Sequence, residues 1–313
     1  MKLKLLIPLA MLASCHTVKQ SISAKSAEHL LSDVKTLSSD AYSGRKTGTE
    51  GAVMARTYIK KRLKDLGLKS YSTLPGYEQT FTAVDKNDKK VNATNLVAFI
   101  PGKSAEVIVI SGHYDHLGVL QNEIYNGADD NASGVAAMLN VAAFYKKQQP
   151  NHTLVFTFFD AGELDWQGSS YFVNHAPFTL DKVLLNVNLD MVSHNDKGEL
   201  YAAGTYHNPA LKNYLTHTNP NVKIMLGHDN PAFKIDDWTN QSDQGAFHAK
   251  NIPFLYFGVE DHKDYHRPSD KFENINQAFF LDAANVILQI VDNLDNDRDI
   301  QAMFREKLQM KKQ

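Results

Sequence analysis

The run "VIVISG" at 107–112 is apolar at almost every position, and so are "TLVFTFF" at 153–159, "VLLNVNL" at 183–189 and "PFLYFG" at 253–258. Segments this short and this continuously apolar read as strands buried on both faces, because a strand with one wet face would alternate. Between them the period changes. Val135, Met138, Leu139 and Ala142 fall at helical spacing within about 133–145, and Phe279, Ala283, Val286 and Ile290 do the same nearer the C-terminus. Ala55, Ile59, Leu63 and Leu66 make one stripe on a helix over about 51–66. Thr49 and Glu50 suit its start as cap and first-turn charge, and Gly67 suits a left-handed stop. A shorter helix is expected over about 28–37, and two β-rich runs around the polar "DKNDKK" read as a hairpin. Buried strands alternating with helices make a single α/β domain: a mixed, mostly parallel β-sheet flanked by helices on both faces.

The N-terminus breaks this pattern. "MKLKLLIPLAMLASC" has Lys2 and Lys4, an apolar stretch from Leu5 to Ala13, and then small residues, the layout of a secretory signal too short to span a bilayer. Leu12-Ala13-Ser14-Cys15 resembles a bacterial lipobox, whose cysteine becomes the lipidated first residue of the mature protein. Plain secretion with a chance cysteine is the alternative. The expected division is a signal peptide at 1–14, lipidated Cys15 and a polar tether at 15–27, the domain at 28–293 and a charged tail at 294–313. The chain is then held at a membrane of the bacterial cell envelope by its lipid alone. Cys15 is the only cysteine, so no disulfide forms within the chain. With 43% hydrophobic and 22% charged residues the makeup is that of a globular protein, and 33 Lys+Arg against 35 Asp+Glu offers nothing to nucleic acid. The 13 histidines direct attention to metal spacing.

In sheets of this kind ligands collect beyond the carboxyl ends of the strands. His113 stands there in "SGHYDHLG", Glu163 in "FFDAGELDWQGS", Asp190 in "NLDMVS" and, after a short loop, His266 in "DYHRPSD". Asp130, in "GADDNASG", immediately precedes the small-residue helix. Each fragment alone has an ordinary reading, as a hydrogen-bonded histidine or a polar turn capping a helix. Two imidazoles and three carboxylates at one sheet edge suit zinc, which takes nitrogen and oxygen donors.

From about Leu30 to Val291, and including "SGRKTGTEGAVMARTYI" and "DKFENIN", the chain resembles the co-catalytic di-zinc exopeptidases. That family includes secreted bacterial aminopeptidases, glutamate carboxypeptidase and, as a one-zinc branch, glutaminyl cyclase. The resemblance implies removal of N-terminal residues from peptides by two Zn2+ ions that Asp130 bridges. His113 and Asp190 would complete one ion, Glu163 and His266 the other. Asp115 would orient the His113 imidazole, and Asp129 would cap a helix or support the site.

In the family's aminopeptidases a glutamate directly before the ligand glutamate acts as general base. Gly168-Ser169 set the register here, so that position is Gly162. Asp165 and Asp160 are candidate substitutes, with a turn role the competing reading for Asp165. The alternative function is a catalytically degenerate, metal-loaded peptide-binding lipoprotein. Trp166, Phe233, Trp238, Tyr256 and Tyr265 are expected around an apolar pocket, with core packing as their other reading. Ser242 and Asp243 match a family stretch near the substrate site, and Gln244 departs from it where the family often has histidine. "FFD" is similar to glutaminyl cyclase, but His113 and Asp190 together favour two metals over one.

Overall fold

The computed structural model describes residues 23–233, 235–297 and 300. The signal peptide, Cys15, most of the tether and most of the tail lie outside the described residues. In chain order the elements are α1 (Ala24–Leu37), α2 (Glu50–Leu66), β1 (Glu78–Val84), β2 (Lys90–Ile100), β3 (Val107–His113), β4 (Gly118–Leu120), β5 (Glu123–Tyr125), α3 (Gly134–Tyr145) and β6 (Thr153–Phe159). There follow α4 (Gln167–Asn174), β7 (Val183–Leu189), β8 (Glu199–Ala203), β9 (Lys223–Leu226), α5 (Gln244–Ala249), β10 (Phe254–Gly258) and α6 (Gln277–Asn296).

Eight strands form one sheet in the order β1-β2-β6-β3-β7-β10-β8-β9. The four at its centre, β6, β3, β7 and β10, run parallel. They are the four continuous apolar runs, and burial on both faces explains that composition. Successive side chains point to opposite faces: Ile108 and Ile110 of β3 face the core built with α1, α2, α3 and α6, whereas Val107 and Val109 face Phe172 of α4 and Phe247 of α5. Parallel strands must end together, so Phe159, His113, Leu189 and Gly258 finish at one edge.

The strands at 153–159 and 183–189 coincide with expectation, β3 takes in His113, and Gly67 ends α2 with φ 78°. Two boundaries and one cap differ. Helix α1 starts at Ala24 rather than 28, because the Ser23 Oγ accepts the Ser26 N–H at 3.2 Å and begins the helix inside the expected tether. Helix α6 continues past 293 to Asn296, where buried Asp295 accepts the Asn151 and His152 N–H groups at 3.0 and 2.8 Å. Thr49 makes no side-chain cap for α2, and its hydroxyl donates to the Lys46 carbonyl at 2.6 Å instead. Among the described residues no helix is long and apolar enough to cross a membrane.

Candidate metal centre

Strand direction places the polar side chains. His113 ends β3, Glu163 lies in the turn after β6, Asp190 follows β7 and His266 lies in the loop leaving β10, while Asp130 enters from the loop before α3. The structure brings all five together. His113 Nε2 stands 3.3 Å from Asp130 Oδ1 and 3.3 Å from Asp190 Oδ1. His266 Nε2 stands 3.1 Å from Asp130 Oδ2 and 3.6 Å from Glu163 Oε2. Asp130 thus turns one oxygen to each group.

Sequence reasoning missed a sixth member. His116 is fully buried, with Nδ1 2.9 Å from Glu163 Oε1 and 3.5 Å from Asp130 Oδ2. The signal was a second imidazole in "HYDH", but spacing does not say which way the chain turns after a strand.

Hydrogen bonding does not account for this crowding. Glu163 Oε1, Asp190 Oδ1 and both ring nitrogens of His116 are buried without a hydrogen-bond partner. Donors of one tetrahedral zinc, with bonds of about 2.0–2.1 Å, lie about 3.3 Å apart, close to the spacings seen here. Unpaired buried polar atoms are costly, so this donor set fits cations lying between its members. The His113 Nδ1 lies 3.1 Å from the Asp115 carbonyl oxygen. A carbonyl only accepts, so Nδ1 carries the proton and Nε2 presents a lone pair to the carboxylates.

The electrostatics agree. Burial and Asp130 both act to raise the Glu163 carboxyl, yet His116 and His266 outweigh them and hold it at about 2. Burial acts to lower the His113 imidazole, but Asp190, Asp115 and Asp130 push it well above its ordinary value. Carboxylates that draw a proton so strongly draw a metal cation by the same field.

The supports are specific. Asp115 accepts the N–H groups of Gly162 and Glu163 at 2.8 and 3.3 Å, as well as the Thr47 hydroxyl at 2.9 Å. Ser242 donates to Asp190 Oδ2 at 2.6 Å, leaving Oδ1 to face His113. Asp270 accepts the N–H groups of Asp129 and Asp130 at 2.9 and 3.1 Å. Asp129 is buried behind the site and accepts from Ser193 and Ser133, whereas the bond to the Gly134 N–H that begins α3 comes from Asn131.

The chain matches peptidase family M28 over residues 95–291. It belongs to that family. Over 198 residues, 60% of this chain, it is 28% identical to aminopeptidase YwaD of Bacillus subtilis, a match that spans only 41% of that relative's length. Among solved structures, Porphyromonas gingivalis glutaminyl cyclase shares the fold with a TM-score of 0.71 at 17% identity, over 85% of this chain and 97% of that one. A leucine aminopeptidase precursor from Bacteroides thetaiotaomicron gives 0.71 at 17% identity, over 88% and 98%. Likeness at that identity is one of fold, and a fold hosts more than one chemistry.

In this M28 chain a cleft of about 210 Å³ opens above the donors, walled in part by Trp166, Trp238, Tyr256 and Tyr265. Phe233, expected there, is instead 63% exposed at the surface. Ser242, Asp243 and Gln244 do not line the cleft either; they are buried, and Ser242 and Gln244 bond to Asn188 of β7. Asp160 is buried away from the cleft, accepting from Thr47, Thr94 and Tyr114 at 2.8, 2.9 and 3.0 Å. Asp165 is exposed on the cleft wall with φ 58°, the left-handed conformation of a turn residue. Asp261, which sequence reasoning passed over, also lines the cleft.

Gly162 packs so tightly that a Cβ there would lie 2.5 Å from His113 Cγ. A side chain at 162, glutamate included, would therefore have to displace the His113 ring or the turn. A separate group, His194, His262 and Asp264, also gathers possible metal donors. Its two imidazoles stack at 3.8 Å and 16°, so their in-plane lone pairs run side by side instead of converging. With His262 Nε2 3.0 Å from Asp129 Oδ2, the group buttresses Asp129.

Proposed function

We propose that this protein is a zinc aminopeptidase that removes N-terminal residues from peptides, anchored to the bacterial envelope through lipidated Cys15. The observation that carries the enzymatic reading is the convergence of metal-ligating side chains on either side of Asp130, with Glu163 Oε1, Asp190 Oδ1 and both His116 nitrogens buried and without a hydrogen-bond partner. His113, Asp130 and Asp190 would hold one of two ions; Asp130, Glu163 and His266 the other. Zinc held by such donors supplies Lewis acidity, polarising a carbonyl and acidifying water.

The chain's own residues supply the rest. Met191, Val259 and Trp238 give the cleft an apolar wall for a substrate side chain. Asp165 and Asp261, outside the donor set, place carboxylates on the cleft wall that would favour the ammonium end of a peptide. Burial raises the Tyr265 phenol, which stays protonated and able to donate a hydrogen bond. With glycine at 162, the water's proton passes to a cleft carboxylate outside the donor set. Asp261 lines the cleft outside the donor set and its carboxyl is raised by burial and then by Asp236, which makes it the first candidate, with Asp165 the second.

The test is hydrolysis of aminoacyl-nitroanilides, with a glutaminyl peptide included for cyclisation, by zinc-loaded wild type, Asp261→Asn and Asp165→Asn. The expected result is turnover by wild type and a loss of about 10²–10⁴-fold in kcat for Asp261→Asn. A loss confined to Asp165→Asn reassigns the base. Two bound metals without turnover would support the peptide-binding lipoprotein instead. The anchor has its own test: Cys15→Ser should move the protein from the membrane to the soluble fraction.

A further inference from the structure

We infer that His116 is a sixth metal-binding side chain, and that it makes the two metal positions unequal. This rests on the metal centre proposed above. Four donors surround the second position: Asp130, Glu163, His266 and His116. Both rings meet Asp130 Oδ2, His116 Nδ1 at 3.5 Å and His266 Nε2 at 3.1 Å, and they take opposite oxygens of Glu163, His116 Oε1 at 2.9 Å and His266 Oε2 at 3.6 Å, distances near the about 3.3 Å between donors of one zinc. Among the described residues, three side chains, those of His113, Asp130 and Asp190, face the first position.

A merely structural histidine in a core hydrogen-bonds through at least one nitrogen. His116 does so through neither, although Glu163 Oε1 is only 2.9 Å from Nδ1. A separation of 2.9 Å is also one that two donors to a common ion show. The ring is also held in place from below: a Cβ on Gly127 would stand 2.6 Å from His116 Cγ, so the Gly127 backbone forms its floor.

Zinc with four protein donors is a closed, structural site, whereas catalytic zinc keeps a position open. The His116 position therefore ties together the loops that carry residues 116, 130, 163 and 266. Substrate chemistry belongs to the side of His113 and Asp190.

Co2+ titration of the full chain tests this, comparing wild type, His116→Gln, His116→Cys and His113→Ala. A thiolate at 116 reaches about as far from the backbone as a ring Nδ1, so it remains able to bind the ion. Expected for His116→Cys is a near-ultraviolet thiolate-to-cobalt absorption that wild type, whose only cysteine is Cys15, lacks. Expected for His116→Gln is a loss of one site's affinity beyond the about 10–100-fold typical of supporting residues, with the other site retained.

No such absorption, with His116→Gln binding two Co2+ as tightly as wild type while His113→Ala does not, would overturn the inference and leave the metal centre standing. Wild type that binds no Co2+ would overturn both. Melting in chelator separates packing from binding: a drop for His116→Gln that is as large without metal as with it would also overturn the inference.

Discussion

Position 162 lacks a side chain because the turn after β6 is drawn against His113 by the bonds from the Gly162 and Glu163 N–H groups to Asp115. Gly162→Ala should therefore push the imidazole out of line. The expected cost is about 1–3 kcal/mol of overpacking, with loss of metal at the His113 position, read by thermal melting and metal analysis. Unchanged melting and full metal content would show that the turn relaxes freely, and Gly162→Glu would then be a fair test of a restored base.

Asp243 carries a second residue-scale prediction. Burial pushes its carboxyl up to about 7, against a pull downward from His113. Between the ordinary carboxylate range and that value, the folded protein keeps a proton that the unfolded chain has lost, so Asp243 costs stability as pH rises. In chelator, Asp243→Asn should exceed wild type by up to a few kcal/mol at about pH 8 and match it at about pH 4, by urea unfolding. A gain that is the same at both pH values would mean the carboxyl does not titrate in that window.

At the scale of elements, one buried guanidinium holds the edge of the site. Arg45 donates Nε–H to the Tyr114 carbonyl at 2.8 Å, Nη1–H to those of Leu37 and Asn126 at 2.7 and 2.6 Å, and Nη2–H to that of Gly127 at 2.8 Å. It joins the end of α1, the end of β3 and the loop before α3. Lysine has the charge but not the planar fork. Arg45→Lys should cost about 3–5 kcal/mol in urea unfolding and weaken metal binding, since Asp130 and His116 lose their common brace. An unchanged urea midpoint would show that these carbonyls find water instead.

Legibility varies among elements for physical reasons. Strands β3, β6 and β7 were readable because burial on both faces forces a continuous apolar run. Strand β9 was not, since no residue of it is buried, nor was β4, with two of its three residues exposed. The first turn of α1 escaped notice because it is polar and owes its start to a cap, not to a stripe.

Across the whole molecule, sequence alone determined the layered α/β architecture, the central strands and the edge at which His113, Asp130, Glu163, Asp190 and His266 meet. Parallel strands in one sheet must end on one side, so the order of motifs along the chain was enough to bring those residues to one place. Only the tertiary structure decided the rest: the strand order, the turn that carries His116 inward, the reach of Arg45 and Asp270 beneath the loops, Phe233 at the surface, Asp261 at the cleft and the lack of space at Gly162. A local pattern records whether a residue is buried and on which face of its element it lies. It does not record where a loop goes after the element ends, because contacts between residues far apart in the chain set that path.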